Sequence, residues 1–284
     1  MTAQILIDAF RLPAAALVGQ RIPKKLLVEQ GATTAADKRL ITDAVDELWW
    51  QAALKPGTVS VPAYQVPEGT KLMPANDGDA VAASADATDV IELALVSAHL
   101  RPATRESQAQ RLMQLIHRAI PYPVLLVTEL PAGVVLSVAH KRASLGEVGR
   151  WVVAGGEQTH PFNPAEPSPA EAAFMASLAL DQLPAAALVH LGALYQAVAD
   201  RITALAVAQV TGRYAAPEAA PSMSHGGAAA HRQVLAERSR LLEQMATARN
   251  AAAKARQMSR RVELNLQIQR LQSQLQDIQA RLTA

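Results

Sequence analysis

Apolar positions recur every three or four residues along 33–54 (TTAADKRLITDAVDELWWQAAL), at Leu40, Ile41, Ala44, Val45, Leu48 and Trp49. That spacing predicts a helix with Thr34 as N-cap and Asp37 at its third position, ended by Lys55, Pro56 and Gly57. Residues 58–66 (TVSVPAYQV) alternate as a strand does, with Pro62 favouring an edge. A loop rich in Gly, Asp, Ala and Ser follows over 67–88. Residues 89–100 (DVIELALVSAHL) are more continuously apolar and predict a deeply buried strand. Residues 103–120 form an amphipathic helix, with Leu112, Leu115, Ile116 and Ala119 on one face and Thr104 as cap. The segment IHRAIPYPVLLVTE then changes from one period to the other: Pro121 pushes Ile120 out of helical geometry, and Pro123 fixes the backbone where the strand VLLVTEL starts. Pro131, Ala132 and Gly133 connect it to VVLSVAHK as a hairpin. Helix, strand, strand, helix, strand, strand is the order of an α+β domain with a mixed or antiparallel sheet, assigned to residues 1–144.

Beyond it, 143–169 reads as irregular, with Gly155 and Gly156 adjacent and prolines from Pro161 onward. Ser168, Pro169 and Glu171 give a strong helix start. Pro184 ends that helix, and 185–211 reads as its partner, so 145–212 is an irregular segment plus a helical hairpin. Residues 213–230 are a linker by composition. The remainder, 231–284, reads as one long helix. Leu264, Ile268, Leu271, Leu275, Ile278 and Leu282 follow at spacings of 4, 3, 4, 3 and 4, a coiled-coil seam. Leu241, Met245, Ala248, Ala252 and Ala255 form an earlier seam out of phase with it, which places a stutter between them.

Charge changes the picture only at this end. Residues 231–284 hold ten Lys or Arg and four Asp or Glu, a net of +6; the whole chain is +2, leaving −4 for residues 1–230. Arg249, Lys254, Arg256, Arg260 and Arg261 occur with no acid from Gln244 to Val262. On a continuous helix Arg249, Arg256 and Arg260 fall within about 40° of each other, a row suited to phosphates or an acidic partner, or simply a solvated flank.

The absence of cysteine excludes disulfide scaffolds, thiolate nucleophiles and sulfur-ligated metal sites. The first 13 residues carry Asp8 in a short apolar run without a basic start, unlike a signal peptide. The apolar stretch 185–210 is broken by His190, Gln196, Asp200 and Arg201, which fits a buried helix and not a membrane span. A cytoplasmic protein is expected. Seven histidines show no metal spacing, Ser137 and His140 share a strand without an acid, and no phosphate-binding or dinucleotide fingerprint occurs, so neither metal nor cofactor is expected. Asp89 and Glu92 on a strand, completed by Lys141, outline a nuclease-like metal site, but Ala94 stands where the lysine of a Glu-x-Lys pair belongs. Trp49 and Trp50 are assigned to core packing.

RIPKK at 21–25, ELWWQAALKPGTVSV at 47–61, DVIELAL at 89–95, IHRAIPYPVLLVTE at 116–129, SVAHKR at 137–142 and ARQMSRRVELNLQIQRLQSQL at 255–275 resemble, in that order, a bacterial family known as domain of unknown function 4391. The middle, 143–230, matches less, and this chain is richer in alanine and poorer in lysine and aromatics than the family pattern. The resemblance implies a setting beside helicases and adenine DNA methyltransferases in antiphage defence clusters; it carries no catalytic residues. The expected function is therefore a non-enzymatic accessory subunit that docks on a helicase or methyltransferase, pairs through Leu264, Ile268, Leu271, Leu275, Ile278 and Leu282 with a helix of another or the same chain, and contacts DNA through the arginine row. A divergent metal-dependent nuclease and a DNA-binding adaptor are the alternatives.

Overall fold

The computed structural model describes residues 2–66, 89–143, 151–217, 224–255 and 257–283. In chain order they form α1 (Thr2–Asp8), β1 (Leu17–Arg21), α2 (Lys24–Gln30), α3 (Ala35–Ala44), β2 (Val45–Leu54), the single turn α4 (Pro56–Val59), β3 (Leu93–Leu100), α5 (Glu106–Ala119), β4 (Val124–Leu130), β5 (Gly133–Ala143), β6 (Trp151–Gln158), α6 (Pro169–Ser177), α7 (Leu191–Thr211), α8 (Ser224–Lys254) and α9 (Met258–Thr283). The strands make one sheet in sequence order, β1 to β6. Every neighbouring pair is antiparallel except β3 and β4, which run parallel because α5 carries the chain back across the sheet. The fold class is α+β.

Helices cover both faces of the sheet. Leu93, Leu95, Leu125, Val127, Leu136 and Val138 face α1, α6 and α7 in one core; Ala94, Val96, Ala98, Val124 and Leu126 face α2, α3 and α5 in the other. This explains why β3 and β4 read as continuous apolar runs: consecutive side chains point to opposite faces, and both faces are buried. The first core takes residues from Ala3 to Leu205, so β6, α6 and α7 pack on the same sheet as the elements before residue 144. On the other face Arg111 of α5 grips Asp37 of α3 with Nε at 2.9 Å and Nη2 at 3.0 Å. This two-pronged bond, with help from Thr33, holds the Asp37 carboxyl well below the usual carboxylate range despite its burial.

Four departures from the sequence reading have physical causes. The helix predicted over 33–54 stops at Ala44, and 45–54 is strand β2; its apolar positions fit a helical spacing, but pairing with β1 on one side and β3 on the other decides the matter. The strand expected over 58–66 is the turn α4, entered through Pro56 and braced by the Lys55 N–H on Thr58 Oγ1, followed by a lone bridge between Tyr64 and Val90. The irregular stretch 143–169 contains β6. Its glycines hid it, yet Gly156 is what allows β6 to lie against β5: a Cβ there would sit 2.2 Å from the Val138 carbonyl oxygen. The loop predicted over 67–88 lies outside the described residues.

The fourth departure is the C-terminal helix, which is a pair. The phase mismatch between the two seams falls where α8 ends at Lys254 and α9 begins at Met258, and α9 folds back along α8. Leu271, Ile278 and Leu282 bury against Val234, Leu241 and Met245, with Val207 and Val210 of α7 closing the bundle. Arg281 Nη1 meets Glu237 Oε2 across the pair at 3.0 Å. The hairpin is fastened to the sheet by Arg232, whose guanidinium reaches Asp200 of α7 at 3.1 Å and Glu157 of β6 at 3.4 Å. Among the described residues no helix is long and apolar enough to cross a membrane. Because the seam is satisfied within the chain, Ile278→Ala, at a site 1% exposed, is expected to cost about 2–5 kcal/mol in urea unfolding. Sedimentation should show an unchanged assembly state.

Candidate functional site

The elements around IPYP gather residues that are distant in sequence. α5 ends at Ala119 because Ile120 adopts extended geometry (φ −92°, ψ 125°) ahead of Pro121. The Pro123 carbonyl then accepts the Ala94 N–H at 3.0 Å, which starts the parallel β3–β4 pairing. The carbonyls that precede the two prolines are held by Lys141 of β5: its Nζ donates to Ile120 O at 2.6 Å and also to Tyr122 O. Burial of this ammonium lowers its pKa to about 7.

RIPKK passes along the same place. Gln20, Arg21, Ile22 and Pro23 at the end of β1, Leu26 and Gln30 of α2, Trp50 of β2, and Arg118 to Pro121 line one cleft of about 420 Å³. Three of the signature segments thus converge on one concave, mainly apolar surface. Trp50 is half-buried, packs edge-on to Tyr122 with ring centres 6.2 Å apart, and its indole N–H is buried without an acceptor. Arg21 pairs with Glu47 at 3.3 Å; Arg118 has neither ion pair nor hydrogen bond among the described residues. Leu17, Val18 and Leu26 are exposed on the adjoining edge strand and helix. Sequence reading placed both tryptophans in the core and passed over Arg118; the missed signal was that Arg118 stands two residues before a helix-ending IPYP, where its side chain must lie beside the turn.

The residues proposed for a nuclease are differently engaged. Asp89 Oδ1 accepts the Val66 N–H at 2.8 Å. Glu92 is buried and pairs with Lys55 at 3.1 Å. Lys141 serves the IPYP carbonyls. Among the described residues no three histidine or acidic side chains gather in a metal-binding cluster. Ser137 meets His117 and not His140: its Oγ lies 3.0 Å from His117 Nε2, while His140 Nε2 lies 3.3 Å from Glu157 Oε2. Burial, aided by the nearby Lys141, lowers the His117 pKa to about 3, and its Nδ1 has no partner. His117 is a neutral core histidine beside a polar cavity of about 610 Å³ between α5 and β6.

The basic cluster does not form a row. Arg249 and Lys254 lie on α8, Arg260 and Arg261 on α9, on opposite sides of the turn; Arg256 lies outside the described residues. Arg260 is paired with Glu263 at 2.6 Å, which leaves Arg249, Lys254 and Arg261 without ion pairs among the described residues. The seam residues Leu264, Leu271, Ile278 and Leu282 are buried and Ile268 and Leu275 pack on the same cluster.

The Lys141 contact makes a pH prediction. Below about pH 7 both folded and unfolded chains carry the ammonium; between about 7 and 10.5 only the unfolded chain binds the proton, so stability attributable to Lys141 rises with pH across that window. Unfolding of the wild type and of Lys141→Met, compared at pH 7 and pH 10, is expected to show the wild type gaining relative to the variant. An unchanged difference would show that the ammonium is not desolvated.

No curated protein and no solved structure matches the chain. The family described as Domain of unknown function (DUF4391) matches residues 10–71 and 80–275, which include every strand of the sheet and most of the C-terminal helix pair. A match of that extent establishes the family, and the chain belongs to domain of unknown function 4391.

Proposed function

We propose that this protein is a non-enzymatic, cytoplasmic assembly subunit of a bacterial DNA-processing antiphage system, and that its sheet domain docks on a helicase or DNA methyltransferase through the cleft between β1, α2 and the IPYP turn. The observation that carries this reading is the convergence of RIPKK, Trp50 and IPYP on one exposed apolar surface. Contiguous apolar surface beside an edge strand is the signature of an interaction face. The acid and lysine side chains expected of a nuclease hold backbone and neighbours in place instead. The test is recovery of partners from the native cell with a tagged protein after nuclease treatment. Recovery of a helicase or methyltransferase is expected with the wild type and is expected to fall at least tenfold with Leu26→Asp, a change at an exposed site that leaves the cores intact. Undiminished recovery would refute the docking role of the cleft.

The hairpin tip supports DNA contact as a second reading, since Arg249, Lys254 and Arg261 flank the break between α8 and α9 and have no counter-ions among the described residues. Duplex binding that weakens steeply with salt, with a smaller slope in Arg261→Ala, is the expected result. A flat salt dependence would reject it.

A further inference from the structure

The cleft has a chemical asymmetry that specifies its occupant. Its walls are Ile22, Pro23, Leu26, Trp50, Ile120 and Pro121, and its one cation without a counter-ion among the described residues is Arg118. Arg118 sits in the last turn of α5, where a positive side chain complements the helix dipole. That accounts for a cation but not for its free donors: a guanidinium carries five N–H groups in a planar fork, and none of these has a partner among the described residues. Its neighbour Arg21 is already paired with Glu47. The Trp50 indole N–H in the same wall also lacks an acceptor but is buried, which leaves Arg118 as the donor an occupant can reach.

Resting on the docking reading above, we infer that the cleft takes a peptide segment of the partner that inserts an apolar side chain between Ile22, Leu26 and Trp50 and presents a carboxylate to Arg118. An apolar wall with a single unpaired guanidinium suits a carboxylate, which it binds through two parallel hydrogen bonds. A nucleic-acid backbone needs a run of cations to follow its phosphates, and the cleft offers only Arg118 and the Glu47-paired Arg21. Leu17 and Val18 on the exposed strand β1 extend the apolar surface beyond the pocket, which gives room for a segment and not only for one side chain.

The experiment is a selection of displayed random nine-residue peptides on the intact protein, followed by affinity measurement of the enriched peptides on wild type, Arg118→Gln and Arg118→Lys. Enriched peptides are expected to combine a large apolar residue with an Asp, a Glu or a free C-terminus, to bind Arg118→Gln at least tenfold more weakly, and to bind Arg118→Lys at an intermediate level. Thermal melting of the variants guards against misfolding, and amide replacement of the peptide carboxylate must reproduce the loss on wild type without any change to the protein. No enrichment, enrichment of peptides lacking an acid, or affinity indifferent to Arg118 would overturn the inference. The partner recovery experiment separates the two levels. Loss of the partner with Leu26→Asp but not with Arg118→Gln leaves the docking role standing and removes the carboxylate, whereas retention with Leu26→Asp removes both.

Discussion

A buried ammonium must find acceptors, and Lys141 finds them in the carbonyls of Ile120 and Tyr122. Those carbonyls point together because prolines on either side of Tyr122 limit the backbone between them. The arrangement fixes the end of α5, the start of β4 and hence the register of the parallel pair β3–β4, with Ala94 donating to Pro123 at its first rung. Both cores are organised around that pair. One contact between β5 and a stiff turn therefore connects the two halves of the sheet, and the desolvation that lowers the Lys141 pKa is the cost of placing the contact inside.

The same turn shapes the outer surface. Since Ile120 and Pro121 cannot continue the helix, the end of α5 presents Arg118 and Ile120 toward the cleft instead of toward a further helical turn. RIPKK is the counterpart on the other side: Pro23 is the N-cap of α2, so the chain leaves β1 at a fixed angle and Ile22 and Leu26 meet Trp50. Two proline-defined corners hold the cleft open without help from side-chain charge.

Much of this was legible in the sequence wherever one local signal was unopposed. The strand 124–130 and the capping box of Ser168 and Glu171 are found where the pattern places them, because period, proline and cap agree. Reading failed where a segment satisfied two periods at once. VDELWWQAAL continues the helical face of α3, and only the presence of β1 and β3 on either side turns it into a strand. β6 failed for the opposite reason, since its glycines carry no period at all and Gly156 serves close approach to β5. The cleft was illegible because its residues come from four separate segments, although each of the three motifs that line it stood out in the sequence.

The C-terminal seam shows how the same pattern can mean assembly or self-completion. A strict a/d repeat specifies that a helix needs a partner, not which one. Here α9, starting at Met258, returns along α8, which ends at Lys254, and Val207 and Val210 of α7 cover what the pair leaves open. Intramolecular pairing has the advantage of effective concentration, so a second chain would compete at a loss. What remains outward on the hairpin is its basic tip, and what remains outward on the sheet is the apolar cleft with Arg118. Arg232, bridging Asp200 and Glu157, holds these two surfaces in one body. Under the proposed docking and DNA-contact roles, that rigidity would keep a protein partner and a polyanion in fixed relation.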